Sequence, residues 1–255
     1  MEYIDLQKCP RKSHFQYFDQ AAYPYIELTV QMNVTAFVPY VKDHGFKFSH
    51  ALLYCFAKGL NEVEEFRYRI VDQSVVKYSR VHVNMTVPIE GERFAFCHIP
   101  YKENVRAFLS EAETATREAA KQKTLLSDDR LDVAWVSCNP WFSFTSMTAP
   151  TVDRRMRSIP VILVGKYTET DGKIHLPVSF KVNHALIDGL HLGKLIHHLE
   201  NSFKDPQKVL GDRSRCAKCG VPLEGFLYRW IASKLFGVRP SVKNADRCNK
   251  CEDKP

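Results

Sequence analysis

Leu176-Pro177-Val178-Ser179-Phe180-Lys181-Val182-Asn183-His184-Ala185-Leu186-Ile187-Asp188-Gly189 reads as an apolar strand that turns into the start of a helix. The run that follows places Leu192, Leu195, Ile196 and Leu199 on one helical face, so a helix is expected over Asp188 to Phe203. A His at a strand end projects from a rigid element. An Asp four residues on suits a helix N-cap, and Gly189 beside it permits a tight turn. Histidine titrates near neutrality, which fits it to take a proton from a hydroxyl. On spacing alone, a general base and an ordinary His beside a capping Asp are equally good readings of His184.

Working outward, Val133 to Val136 and Pro160 to Tyr167 read as buried strands. Thr170-Asp171-Gly172-Lys173 reads as a hairpin turn. Ile26 to Asn33 alternates apolar and polar residues with the period of a half-buried strand. Phe48 to Leu60 has helical spacing, with Gly59 as a late interruption, and Glu103 to Lys123 reads as a surface helix. Short β segments are expected at Phe66 to Ile70, Val75 to Tyr78, His82 to Val87 and Phe94 to Ile99. Strands and helices mix without regular βαβ alternation. The expected fold is therefore an α/β two-layer sandwich with a mixed, mainly antiparallel sheet.

The 255 residues allow one large domain with a small appendage, and the expected boundary divides 1–207 from 208–255. No apolar run approaches the roughly 20 residues of a membrane span. The N-terminus lacks a basic start and an apolar core, so a cytoplasmic protein is expected. The net charge of +7 is uneven: from Val209 to Pro255, ten Lys and Arg face five Asp and Glu. The remaining +2 or so is no nucleic-acid footprint. Cys9, Cys55, Cys97 and Cys138 are scattered and read as reduced, mostly buried small hydrophobes.

Two further segments bear on chemistry. Ser137-Cys138-Asn139-Pro140-Trp141-Phe142-Ser143-Phe144-Thr145-Ser146 alternates hydroxyls with aromatics. A strand there would put Phe142 and Phe144 on one face and Ser143 and Thr145 on the other. A hydroxyl at its end, such as Ser146, suits an oxyanion donor or equally a turn cap. Cys9-Pro10-Arg11-Lys12-Ser13-His14-Phe15 offers Arg11 to a carboxylate and Phe15 to the core.

The order of these segments, with Val34-Thr35-Ala36-Phe37, Glu65-Phe66-Arg67, Gly165-Lys166-Tyr167 and His191, resembles the chloramphenicol acetyltransferase family from about Asp5 to Phe203. The resemblance implies an acetyl-CoA-dependent O-acetyltransferase that acts by direct transfer. His184 would be general base on a small-molecule hydroxyl, and Ser146 would donate to the tetrahedral oxyanion. Asp188 would pair with Arg11 and brace the histidine loop. It also implies a homotrimer with active sites between subunits, and an antibiotic-resistance role if the acceptor is chloramphenicol. Three departures leave the acceptor open. Asn183 stands where the family usually has a second His, Leu163 stands in place of a family Thr, and Met147 to Arg155 differs and carries Arg154-Arg155. Another small acceptor, or an altered scaffold whose tail binds a protein or nucleic acid, are the alternatives.

The tail stands apart from that resemblance. Cys216-Ala217-Lys218-Cys219 and Cys248-Asn249-Lys250-Cys251 form two CxxC knuckles with 28 residues between them. Four thiolates so paired suit structural zinc, with an iron–sulfur centre or unmetallated thiols as alternatives. Leu227, Tyr228, Trp230, Ile231, Leu235 and Phe236 form an apolar group expected to pack on the body, a neighbouring subunit or another protein. His184, Asp188 and His191 could also suggest metal ligands, but the Asp-Gly break argues against a common face.

Overall fold

The computed structural model describes residues 1–211, 216, 218–221, 223, 231–241 and 247–252. In chain order these hold β1 (Glu2–Tyr3), α1 (Lys12–Asp19), β2 (Tyr25–Asn33), α2 (Phe37–Asp43), α3 (Phe48–Glu62), β3 (Tyr68–Val71) and β4 (Ser74–Lys77). There follow β5 (His82–Ile89), β6 (Arg93–Ile99), α4 (Val105–Ala119), β7 (Val133–Cys138), β8 (Val161–Val164), β9 (Thr168–Thr170), β10 (Lys173–Asn183), α5 (Gly189–Lys204) and α6 (Pro206–Leu210).

The main sheet has seven strands in the order β2-β10-β8-β7-β5-β6, with β9 paired to β10. The pairs β5–β7 and β7–β8 are parallel and the others antiparallel, so the mixed, mainly antiparallel sheet is as expected. A second sheet of three strands, β1-β4-β3, lies apart. The hairpin between β9 and β10 turns at Asp171 and Gly172, both at positive φ (51° and 71°), as a tight two-residue turn requires.

Alternation along β10 explains the layers. Leu176, Val178, Phe180 and Val182 are at most 1% exposed and join the core with α3 and α5. Pro177, Ser179, Lys181 and Asn183 fall on the opposite face, in register with Gln31, Thr29, Glu27 and Tyr25 of β2. One face is thus covered by helices and the other is polar along β2 and β10.

Several local expectations change. Phe66 is not in a strand but in a 3-10 turn at Glu64–Arg67 that leads into β3. Gly59 does not interrupt α3. A Cβ there would come within 2.9 Å of Leu195 Cδ1, so the glycine lets α5 approach α3 closely. Residues 139–150 form no strand, so the two-face alternation expected there does not apply. Gly189 is not at positive φ, and a Cβ on it would meet nothing within 4 Å, so it is not a conformational requirement of the turn.

In the tail, Cys216, Leu223, Ala232, Val238, Cys248 and Cys251 form a second, small core. Leu227, Tyr228 and Trp230 lie outside the described residues. Ile231, Leu235 and Phe236 are exposed at 43%, 72% and 59%, so they do not pack on the body of this chain.

Candidate active site

His184 directly follows β10, and its own N–H donates to Pro24 O at 2.8 Å. The loop after it is closed by short-range bonds. The Asn183 side chain accepts from Ala185 N at 3.0 Å, and the Asn183 carbonyl accepts from Ile187 N at 2.9 Å. Asn183 also donates to Arg157 O at 3.2 Å, so the residue that departs from the family pattern anchors the loop from a nearly fully buried position.

The imidazole has one committed nitrogen. His184 Nδ1 lies 3.1 Å from Ile187 O. A carbonyl only accepts, so Nδ1 carries the hydrogen and the neutral ring keeps a lone pair on Nε2. The Phe18 ring packs against the imidazole at 3.8 Å between centroids.

Asp188 caps α5. It accepts from Leu190 N at 3.0 Å, while its own N–H donates to His191 Nδ1 at 3.1 Å. Its other carboxylate oxygen accepts from Arg11 Nη1, at the start of α1. Burial works against an ionised Asp188, yet the Arg11 hydrogen bond and charge and the Leu190 amide hold the carboxyl below its ordinary value, with His191 adding to this once acid protonates it. His191 Nε2 reaches Glu65 Oε1 at 3.3 Å. Burial pushes the His191 pKa down despite Glu65 and Asp188, so a neutral ring donates to Glu65 and accepts from Asp188.

Ser146 is exposed and makes no hydrogen bond among the described residues. Its neighbour Met147 is held over Ser179, five residues before His184, which at the rise of a strand is on the order of 15 Å away. The chain therefore brings Arg11, Asp188 and His184 together but not Ser146 with His184. Phe18 and Lys181 were not foreseen as neighbours of these groups. A lysine inside the mainly apolar run Leu176 to Val182 was the one available signal for Lys181.

Two other features lie away from His184. A cavity of about 810 Å³ opens between α3, α4 and tail residues Leu223, Pro240 and Ser241. The four tail cysteines converge, with all Sγ atoms within 4.8 Å of one another and Cys219 and Cys248 Sγ 3.8 Å apart. Burial opposes ionisation of Cys216, but backbone N–H groups from Cys219, Cys248 and Lys218 bring its thiol down to about 6. Burial pushes Cys55 and Cys138 up to about 12 and Cys97 to about 11, which keeps those thiols protonated.

Residues 1–200 match the model of the family described as chloramphenicol acetyltransferase. The chain belongs to that family. It is 30% identical to the chloramphenicol acetyltransferase of Escherichia coli over 199 residues, 77% of this chain and 91% of the relative. A solved chloramphenicol acetyltransferase superposes with a TM-score of 0.74 at 25% identity, over 78% of this chain and 98% of the other. The dihydrolipoamide acetyltransferase of Azotobacter vinelandii shares the fold at 16% identity, with a TM-score of 0.59 over 78% of this chain and 88% of that one. As in the family, the chain is an acyltransferase. The family match ends before the cysteine cluster, and no helix among the described residues is long and apolar enough to cross a membrane.

Proposed function

We propose that this acyltransferase moves the acetyl group of acetyl-CoA directly to a hydroxyl of a small molecule, with chloramphenicol as the first acceptor. The observation that carries the mechanism is the His184 tautomer: Nδ1 is committed to Ile187 O, which leaves Nε2 as the base. Nε2 takes the acceptor's hydroxyl proton while the oxygen bonds to the thioester carbonyl carbon. The Ser146 hydroxyl donates to the resulting oxyanion. The C–S bond then breaks, and the CoA sulfur leaves with the proton returned from the imidazolium. Asp188 and Arg11 act at one remove, by holding the loop that carries His184.

The same reading includes a homotrimer in which one chain supplies His184 and the next Ser146, with the separation of the two residues within one chain as its support. It places residues 1–207 in the catalytic unit and 208–255 in a separate structural unit, in a cytoplasmic protein. In the tail, Cys216, Cys219, Cys248 and Cys251 hold Zn²⁺ for structure. Four thiolates about 2.3 Å from one tetrahedral ion would stand about 3.8 Å apart, which fits the Cys219–Cys248 spacing. Metal analysis after purification under reducing conditions should find one zinc per chain; its absence rejects the tail assignment.

The decisive assay is CoA thiol release from acetyl-CoA with chloramphenicol and a panel of other hydroxyl compounds. His184→Ala should lower turnover by about 10²–10⁴-fold. If no acceptor supports release and His184→Ala changes nothing, the catalytic reading fails.

A further inference from the structure

The residues after Ser146 lie on the polar face of β2 and β10 and belong to no helix or strand, so no backbone ladder fixes them. Three consecutive residues are instead held by side chains of the sheet. Ser179 Oγ donates to Met147 O at 2.6 Å, Thr148 Oγ1 donates to Glu27 Oε1, and Lys181 Nζ donates to Ala149 O at 2.6 Å. Lys181 and Glu27 are register partners on adjacent strands.

Lys181 is the unusual member. It is only 6% exposed, and a buried ammonium is unfavourable unless it is paired and hydrogen-bonded. Its carboxylate, Glu27, is 3.8 Å away, and the remaining contacts are the faces of Tyr25 at 4.5 Å and Tyr23 at 5.6 Å. Its direct hydrogen bond goes to the Ala149 carbonyl. An apolar side chain would fill the same slot without the desolvation of a charge. What Lys181 adds is a directed grip on the backbone three residues beyond Ser146.

We propose that Lys181, together with Ser179 and Glu27, is a positioning residue for Ser146: it fixes the 147–149 backbone and so sets where the Ser146 hydroxyl points. This rests on the oxyanion role given to Ser146 above. β10 then serves both halves of the chemistry, with His184 at its end and the Ser146 segment gripped along its length.

The test is a double-mutant cycle in the full chain, read as CoA release. Lys181→Met keeps the stem and removes the donor. It should lower kcat by about 10-fold with each KM within about twofold, the pattern of lost transition-state geometry rather than lost binding. Ser146→Ala should lower kcat by about 10²–10³-fold. In the Ser146→Ala background, Lys181→Met should lower kcat no further, because it acts through the missing hydroxyl. An additive loss, an unchanged kcat or a loss confined to KM overturns the positioning role while leaving Ser146 in place. A Ser146→Ala enzyme with full kcat overturns the oxyanion reading itself, and the positioning role with it. Should Lys181→Met fail to fold, Ser179→Ala, which releases Met147 O, runs the same cycle with the same expected and overturning outcomes.

Discussion

The loop at residues 183–191 and the segment at 142–149 carry the two proposed reacting groups but are built in opposite ways. The loop is held mainly by its own neighbours, with Asn183 bonded to Ala185 and Ile187, His184 to Ile187, and Asp188 to Leu190 and His191. The segment is held from afar: Gln31 donates to Phe144 O at 3.3 Å, Lys166 N donates to Phe142 O at 2.8 Å, and the three sheet side chains grip 147–149. A local device keeps its geometry when the rest of the molecule shifts. A surface segment held by distant groups can be aimed outward, towards another subunit.

The strongest way to break this contrast is to ask whether the two regions work within one chain. If His184 and Ser146 meet only across a subunit boundary, co-expression of His184→Ala with Ser146→Ala creates some interfaces in which both residues are intact. With random mixing in a closed ring, about one quarter of sites would be whole. Activity should therefore rise from the low level of either variant alone to about a quarter of wild type. A mixture no more active than its parents places both residues in the same chain's site.

The glycines offer a second contrast. A Cβ on Gly165 would come within 2.9 Å of Phe144 ring carbons and 2.8 Å of Pro177 Cγ, whereas Gly189 has open space. Gly165→Ala should push Phe144 off the sheet, destabilise the protein by about 1–3 kcal/mol and lower turnover. Gly189→Ala should leave both nearly unchanged. Melting curves and CoA release on the two variants check this; equal behaviour would show that Phe144 does not rest tightly on the sheet.

Arg11→Ala should act more mildly, because Arg11 and Asp188 side chains are each about a quarter exposed (26% and 27%). A loss on the order of 1 kcal/mol would lower the melting temperature by about 2–4 °C. Turnover should also fall, though less than in His184→Ala. Unchanged melting and unchanged kinetics would reject Arg11 as the brace of the loop.

The same contrast governs what could be read in the sequence. Asp188 as a cap, β10 and α5 follow from residues within a few positions of one another, and the periodic pattern carries them. The 139–146 stretch alternates like a strand, but it forms none, and its hold on the sheet comes from a residue as distant as Gln31, which donates to Phe144 O. Phe66 looks like strand because β propensity is local, while the 3-10 turn reflects the geometry needed to enter β3. Gly59 reads as a helix interruption and Gly165 as one more strand residue, because the groups that pack on them, Leu195 and Phe144, are far away in sequence. Arg11 met Asp188 only through a resemblance that spans the chain, since no spacing rule links positions 177 residues apart.

Acidification separates the two regions with the smallest expected effect. His191 beneath the loop titrates below its ordinary value because burial outweighs the attraction of Glu65 and Asp188, with Arg11 and Lys194 opposing its charge as well. A histidine with a lowered folded pKa binds its proton more readily when unfolded. Its contribution is therefore complete above about pH 6.5 and declines as the pH falls below that. Protonation also takes away the Nδ1 lone pair that accepts the Asp188 N–H. Asp188 and Glu27 are both held below their ordinary carboxylate values, so their contributions persist until the pH drops below about 4. Between about pH 6.5 and 5 the loop should weaken while the grip on 147–149 keeps its charges. His50, which burial brings down to about 4, and His82 and His98 share the sign, so His191 accounts for part of the slope. Melting temperature against pH should be flatter over that range in His191→Gln, whose amide oxygen can still accept from Asp188, and unchanged in slope in Lys181→Met. A His191→Gln protein with the full wild-type slope would show that the loop does not depend on a neutral His191.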